Sequence, residues 1–178
     1  MRIWIDATSP ESQLRIFGMS LVERLLRILA ASEDQATRLK SRIEISGGTE
    51  VKQQFSAFAA TKLCLSEIQI DLPPDAPEPS WIPAELAERL PLHWTRESGS
   101  VGQRLERAMS RAGDEPLLAI SGDSVVDERL IARLVWWSGG SAAYIDDDGE
   151  QSVAVMRLDA QLPLEVFSNP TLAAVARA

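Results

Sequence analysis

Cysteine and histidine are almost absent from the sequence, which contains one of each, Cys64 and His93. A single cysteine excludes an internal disulfide and a cysteine-rich zinc site. Cys64 lies in an apolar run, which favours a small buried side chain over a nucleophile. His93 has no second histidine or cysteine nearby, so a metal cluster of these residue types is excluded and a Ser-His-Asp triad is disfavoured.

Positive charge and long apolar runs are also scarce. The chain has 18 lysines and arginines against 26 aspartates and glutamates, a formal net charge of -8. Nucleic-acid phosphates are bound by clustered basic residues. Those here are spread along predicted helices, where Arg104, Arg107 and Arg111 are expected on a solvated face, so no nucleic-acid partner is expected. No segment resembles a membrane span or a secretion signal, which leads us to expect a cytoplasmic protein.

The residues that are present suffice for a single domain over 1–178, since 45% are hydrophobic and 25% are charged. The strand Arg2–Asp6 comes first, and Ser20 and Glu23 form a capping box that begins the first helix. Residues 71–80 contain four of the ten prolines and are predicted to be an extended loop. Further strands are predicted at 42–45, 63–70, 92–95, 117–123, 142–145 and 152–158, and further helices at 33–40, 49–60, 83–89, 100–111, 127–137 and 162–178.

The alternation of strands and helices predicts an α/β fold of three layers, α/β/α, around a mostly parallel mixed sheet. The last two predicted strands flank the acidic segment Asp146 to Glu150, which has the composition of a hairpin turn. They would therefore add antiparallel strands at one side of the sheet.

The segment Leu117 to Asp123 (LLAISGD) carries most of the functional information. An apolar run that ends in turn residues is typical of a buried parallel strand. Ligands of open α/β sheets bind outside the carboxyl ends of such strands, and Mg²⁺ prefers few carboxylates together with substrate phosphates. Asp123 is therefore a candidate magnesium ligand. The alternative is that Asp123 only caps the turn that follows the strand.

Three segments carry a family resemblance. The first combines the strand Ile3 to Asp6 with Phe17 to Leu26 (FGMSLVERLL), which is similar to a V-x-G-x-P-L-L-E-R-x-L motif at the start of a first helix. The second is Gly99 to Met109, a glycine ahead of a helix, and the third is Ile120 to Asp127, similar to an L-x-G-D motif. In this order they resemble the nucleotidyltransferases of the glycosyltransferase-A-like fold. The likeness is greatest to the cytidylyltransferase-like domains in front of membrane-embedded CDP-alcohol phosphotransferases.

The resemblance implies a nucleotide-diphospho-sugar transferase-like fold and cytidylyl transfer from CTP to a sugar or alcohol phosphate, as in phospholipid synthesis. It makes Asp123 the catalytic residue that binds Mg²⁺. It also implies a CDP-alcohol phosphotransferase as partner, and truncation after Ala178, because family members usually run longer. The positions implied to contact the nucleotide are Asp6, Ala7, Thr8, Gly99 and Gly102.

The segment after the first strand departs from the family. Active members have a G-x-G-x-R loop there, because glycine lets backbone N–H groups approach the triphosphate closely. Here Ala7 to Pro10 (ATSP) replaces that loop, and no glycine precedes Gly18. The family lysine that follows a proline seven positions before the helix glycine is replaced by Glu11. Arg15 could compensate from within the crevice; a surface position is the alternative.

These departures weaken the case for catalysis. Loss of one well-placed stabilising donor reduces a rate by roughly 10²- to 10³-fold. We therefore hypothesise a degenerate triphosphate loop with weak or lost transfer. The alternatives are a non-catalytic regulatory or docking domain of a CDP-alcohol phosphotransferase, and a binder of nucleotides or sugar phosphates without chemistry.

Two smaller features remain open. Asp6 either contacts base, ribose or a metal shared with Asp123, or forms an Asx turn at the start of the loop. Trp136 and Trp137 are adjacent and cannot both face one side of a helix, so one of them is expected to be exposed at a contact surface.

Overall fold

A mixed sheet of six strands forms the centre of the described part of the chain. The computed structural model describes residues 1–31, 65–77, 79–135, 137, 139–145, 153–160, 162–168 and 172–177. The sheet order is β5-β4-β1-β6-β8-β7; β5, β4, β1 and β6 are parallel, and β8 and β7 are antiparallel additions. These strands are β1 (Arg2–Asp6), β4 (Glu67–Asp71), β5 (Leu92–Thr95), β6 (Leu117–Ser121), β7 (Ala142–Ile145) and β8 (Val153–Leu158), and a separate hairpin is made of β2 (Arg15–Ile16) and β3 (Met19–Ser20).

Helices cover both faces of the sheet. The α-helices are α1 (21–31), α2 (Ala84–Arg89), α3 (Val101–Ala112), α4 (Glu128–Val135) and α5 (Leu172–Arg177), with 3₁₀ helices at Pro10–Gln13 and Leu164–Ser168. Successive side chains of a strand point to opposite faces. Accordingly Ile3 and Ile5 pack with α1 and α4, whereas Trp4 packs with α3, α5 and the second 3₁₀ helix. The predicted α/β fold with a mostly parallel sheet is confirmed.

Several predicted boundaries agree with the structure. β1, β5 and β7 have the predicted bounds, and α3 begins with a capping box formed by Ser100 and Gln103. Ser20 caps α1, since its Oγ accepts a hydrogen bond from the Glu23 backbone at 3.1 Å. These agreements arise where alternation or capping gives a local signal.

Other boundaries differ. The prediction of one α-helix over 162–178 is wrong, because its described residues include a 3₁₀ helix at Leu164–Ser168 as well as the α-helix Leu172–Arg177. The strand predicted to reach Asp123 ends at Ser121. The helices and strand predicted at 33–40, 42–45 and 49–60, Cys64 and the acidic segment 146–150 lie outside the described residues. No helix in the part of the chain described here is long and apolar enough to cross a membrane.

Candidate functional site

The carboxyl ends of the four parallel strands meet at one edge of the sheet, which we call the carboxyl edge. In the strand register, Asp6 of β1 pairs with Asp71 of β4 on one side and with Ser121 of β6 on the other. Asp71 pairs in turn with Thr95 of β5. The sheet therefore places two aspartates side by side at its centre, where open α/β sheets bind their ligands.

Arg104 of α3 is the cation that pairs with both aspartates at the centre of this edge. Its side chain is 3% exposed, and its Nη2 lies 3.1 Å from both carboxylate oxygens of Asp6 and 3.2 Å from Thr8 Oγ1. Its Nη1 lies 3.7 Å from Asp71 Oδ2, and its guanidinium carbon is 5.9 Å from the centre of the Trp4 ring. The prediction that Arg104 lies on a solvated helix face is therefore wrong. The signal that could have shown this burial is helical spacing, because Arg104 lies three residues after Val101 and four before Ala108, both on the apolar face of α3.

Asp71 is fully buried and saturated with donors. Its carboxylate accepts hydrogen bonds from Trp4 Nε1 at 2.9 Å, from Gln69 Nε2 at 2.7 Å and from Thr95 Oγ1. A buried charge is tolerated when it is paired and hydrogen-bonded. These donors come from β1, β4 and β5, so the network links the carboxyl ends of three neighbouring strands.

Arg104 nevertheless keeps unused donors. Its Nε and Nη1 donate no hydrogen bond, although both atoms are buried. Asp6 and Asp71 thus share one guanidinium, and two of its three nitrogens donate no hydrogen bond. The charge of Arg104 is committed to holding Asp6 and Asp71.

Asp6 and Thr8 form an Asx turn at the start of the loop, one of the two interpretations of Asp6 given above. The backbone N–H and the Oγ1 of Thr8 donate to Asp6 Oδ1, at 3.2 and 2.7 Å. Ala7 is buried, and its N–H donates to the Asp71 carbonyl at 2.9 Å. Of the predicted nucleotide contacts in this segment, Thr8 is the residue with a partly exposed side chain.

The loop after β1, residues 7–13, closes on itself. Ser9 caps the first 3₁₀ helix and donates to the Glu11 carboxylate, a hydrogen bond that lowers the pKa of Glu11. Ser12 is fully buried, with its Oγ 2.6 Å from the Ser9 carbonyl and 3.1 Å from the Ala7 carbonyl. The side chains of Ser9, Glu11 and Ser12 are thus hydrogen-bonded within the loop, and Glu11 is an exposed carboxylate that stays negatively charged.

Asp123 lies two residues beyond β6 and is exposed. Its Oδ1 accepts hydrogen bonds from Ser121 Oγ and, at 3.4 Å, from Ser124 Oγ. Gly122 brings it close to β1, because the Gly122 N–H donates to the Asp6 carbonyl at 2.8 Å. A Cβ at position 122 would lie 2.7 Å from that same oxygen, so this approach requires glycine.

Asp123 is the accessible carboxylate of the aspartates placed at this edge, since Asp6 and Asp71 are buried around Arg104. The described residues contain no group of three or more His, Cys, Asp or Glu side chains arranged to hold a metal. Mg²⁺ can be held by one carboxylate together with substrate phosphates. One accessible carboxylate is too few ligands to hold a resident ion. It fits a magnesium ion whose other ligands are the phosphates of a bound nucleotide.

Gly99 and Gly102 lie at the start of α3. Gly99 has a φ of +114°, and a Cβ there would lie 2.6 Å from Gln103 Oε1, the capping side chain. Gly102 is buried in the first turn, two residues before Arg104. Both glycines therefore belong to the start of α3, the helix that carries Arg104.

The hairpin of β2 and β3 escaped sequence analysis. Its turn consists of Phe17 and Gly18, with φ values of +53° and +84°. Phe17 is 92% exposed, and Leu14 and Ile16 are also exposed, so we call Leu14, Ile16 and Phe17 the apolar hairpin. A residue followed by glycine between two short apolar segments is a hairpin signal that could have revealed it. Arg15 is exposed in the same hairpin.

Trp137, one of the adjacent tryptophan pair, is 43% exposed, as expected for one of the two.

Comparison with known proteins identifies the fold. No family model matches the sequence, and no curated protein matches it. The structure is similar to that of the 4-diphosphocytidyl-2C-methyl-D-erythritol synthase of Anaerococcus prevotii DSM 20548, with a TM-score of 0.51 over 94% of this chain and 73% of that one. The sequence identity is 11%, so the likeness concerns the fold. It bears out the predicted nucleotidyltransferase-like fold.

Proposed function

We propose that the chain is a cytidylyltransferase-like domain that binds a nucleotide at its carboxyl edge and transfers the nucleotidyl group slowly or not at all. The fold supports the general class, because the similar protein is by its name a synthase of a diphosphocytidyl compound. The single observation that supports weak or lost transfer is the loop over 7–13, in which the side chains of Ser9, Glu11 and Ser12 bond within the loop.

Charge at the carboxyl edge argues in the same direction. Nucleotidyl transfer depends on positioning and on neutralising phosphate charge. Arg104 is committed to Asp6 and Asp71, while Glu11 adds a negative charge in the loop. Each missing donor reduces a rate by roughly 10²- to 10³-fold, so losing both the backbone cradle and a cation reduces it further.

Asp123 is the residue we assign to Mg²⁺ within this proposal. When bound, the ion would neutralise part of the phosphate charge. Thr8, which contacts Arg104, would lie beside the nucleotide, together with Gly99 just before the helix that carries Arg104. The acceptor in this proposal is a sugar or alcohol phosphate.

Calorimetric titration with CTP and Mg²⁺ tests the binding part of the proposal. We expect a magnesium-dependent heat that Asp123→Ala weakens by about tenfold or more, the loss of one charge-assisted contact. Asp114→Ala is the matched control, because Asp114 is exposed at the opposite end of β6 and should leave the affinity unchanged. Absence of CTP heat, or equal effects of the two variants, would refute nucleotide binding through Asp123.

The apolar hairpin favours a second candidate, a non-catalytic docking domain for a CDP-alcohol phosphotransferase. Exposed apolar side chains clustered in one place are typical of interaction surfaces, and Phe17 is almost fully exposed. This candidate predicts no CTP heat and a complex with the detergent-solubilised phosphotransferase that Phe17→Ser weakens. A complex unaffected by Phe17→Ser would contradict it.

A further inference from the structure

A cavity of about 360 Å³ opens beside α4, just past Asp123. Its walls are the segment after Asp123, the first two turns of α4, and Tyr144 of β7. This volume is within the range of small-molecule sites, about 300 to 1,000 Å³. The cavity is separate from the Arg104 network, which shares no lining residue with it.

Two arginines give the cavity its positive charge. Arg129 and Arg133 are four residues apart on α4 and so project from the same side of the helix. Both are exposed, and neither guanidinium forms an ion pair with a carboxylate of the described residues. Asp127, the acidic residue among the described lining residues, is engaged as the cap of α4, because its carboxylate accepts a hydrogen bond from the Arg129 backbone at 2.7 Å.

The remaining wall is apolar and accessible. Val125 is 58% exposed and Tyr144 is 46% exposed, while Leu130 of α4 is half-buried. Val126 is buried, which anchors this segment of the wall to the core. The ring of Tyr144 offers a flat apolar surface, and the guanidinium groups of Arg129 and Arg133 offer planar sets of hydrogen-bond donors in the same cavity.

We propose that this cavity binds a phosphate monoester carrying an apolar or ring-shaped group. Guanidinium groups bind phosphate oxygens through paired hydrogen bonds, and two of them match the charge of a phosphate monoester. The organic group would lie against Val125, Leu130 and Tyr144. Within the proposed function this ligand is the acceptor, but its binding requires neither nucleotide nor metal.

Titration with phenyl phosphate, inorganic phosphate and phenol, without nucleotide or metal, tests the proposal. We expect phenyl phosphate to bind about tenfold or more tightly than either fragment, because it engages both walls. The double variant Arg129→Ala/Arg133→Ala should weaken phenyl phosphate by about tenfold or more. Tyr144→Ala should weaken phenyl phosphate and leave inorganic phosphate unchanged.

The matched control is Arg2→Ala, since Arg2 is a partly exposed arginine at the opposite end of β1 from the carboxyl edge. It should leave phenyl phosphate affinity unchanged. The single variants Arg129→Gln and Arg133→Gln, each expected to have an intermediate effect, replace the double variant if its thermal unfolding shows a loss of fold.

Three outcomes would overturn the proposal: no phenyl phosphate binding at about 10 mM, binding unaffected by the arginine variants, or an effect of Arg2→Ala equal to theirs. Flotation with phosphatidylcholine vesicles, with and without phosphatidylinositol 4-phosphate, separates a soluble ligand from a lipid headgroup. Vesicle binding without phenyl phosphate binding would also contradict the soluble ligand. Because nucleotide and metal are absent, the result is independent of the CTP titration.

Discussion

At the residue scale, Arg104 connects the fold to the candidate site. It lies 98 positions along the chain from Asp6, yet its Nη2 contacts both oxygens of that carboxylate. The sequence showed the helix that carries Arg104, because capping and apolar spacing are local signals. Helical spacing also places Arg104 nearest the apolar face, but the sequence could not show the two carboxylates that distant strands bring beneath the helix.

Replacement of Arg104 should therefore be strongly destabilising. Arg104→Ala leaves Asp6 and Asp71 as buried carboxylates without their shared cation, which is expected to lower the free energy of unfolding by about 3 to 5 kcal/mol. Arg107→Ala on the same helix removes a partly exposed ion pair and should lower it by less than about 1 kcal/mol. Urea unfolding measures both. Similar values for the two variants would contradict the central role of Arg104.

Gly122 is the second residue with a specific geometric requirement. An alanine Cβ would overlap the Asp6 carbonyl, a backbone atom that has little room to move, so Gly122→Ala should destabilise by about 1 to 3 kcal/mol. Gly140→Ala is the control, since its nearest neighbour would be 3.8 Å away. Thermal unfolding compares them, and an equal shift in Tm would show that the approach of β6 to β1 is not constrained at Gly122.

At the element scale, α3 is tied to the segment that precedes it through Glu97. Burial works to raise the pKa of Glu97, but hydrogen bonds from Arg107 and Arg111 and their charges outweigh it and lower the pKa below its usual 4.5. A carboxyl group with a lowered folded-state pKa stabilises the fold fully above its unfolded pKa. That contribution is lost as the pH falls through the folded value.

Glu97→Gln should consequently reduce the dependence of the unfolding free energy on pH at acid pH. Between about pH 5 and pH 3 the variant should lose less unfolding free energy than the unaltered chain, because it has no carboxylate to protonate. Glu128→Gln, an exposed substitution at the start of α4, serves as control and should leave the slope unchanged. Urea unfolding at stepped pH gives the slopes. A Glu97→Gln profile as steep as that of the unaltered chain would refute the coupling.

The apolar hairpin shows why short elements were missed. β2 and β3 have two residues each, too few for alternation to be recognised, and the first 3₁₀ helix has four. The helix predicted over 162–178 was too long, because apolar spacing extends over residues that form the 3₁₀ helix Leu164–Ser168.

The turn of this hairpin makes a test of its role possible. Phe17 adopts a left-handed φ that favours asparagine before Gly18, and its side chain is almost fully exposed. Phe17→Asn should therefore leave the stability unchanged or raise it by up to about 1 kcal/mol. Thermal unfolding measures this. A loss of more than about 1 kcal/mol would mean that Phe17 supports the fold, which would weaken its assignment as a docking residue.

At the scale of the whole molecule, the order of motifs predicted the fold more successfully than it predicted the site. Three weak motifs in sequence indicated the nucleotidyltransferase-like fold, which the structural similarity bears out. The strand order could not be derived, because β1 pairs with β4 and β6, which follow it by more than 60 residues. The cavity beside α4 likewise depends on Tyr144, a residue brought to Arg129 and Arg133 by the tertiary fold.

Pyrophosphate release is the most direct test of the central claim, that this fold has lost most of its transfer chemistry with its triphosphate loop. The measurement uses the whole chain with saturating CTP and Mg²⁺ and a panel of sugar and alcohol phosphates as acceptors. The account predicts turnover below about 10⁻² s⁻¹ with every acceptor, against about 1 to 10³ s⁻¹ for typical enzymes. Turnover of about 1 s⁻¹ or faster with any acceptor, abolished by Asp123→Ala, would contradict it.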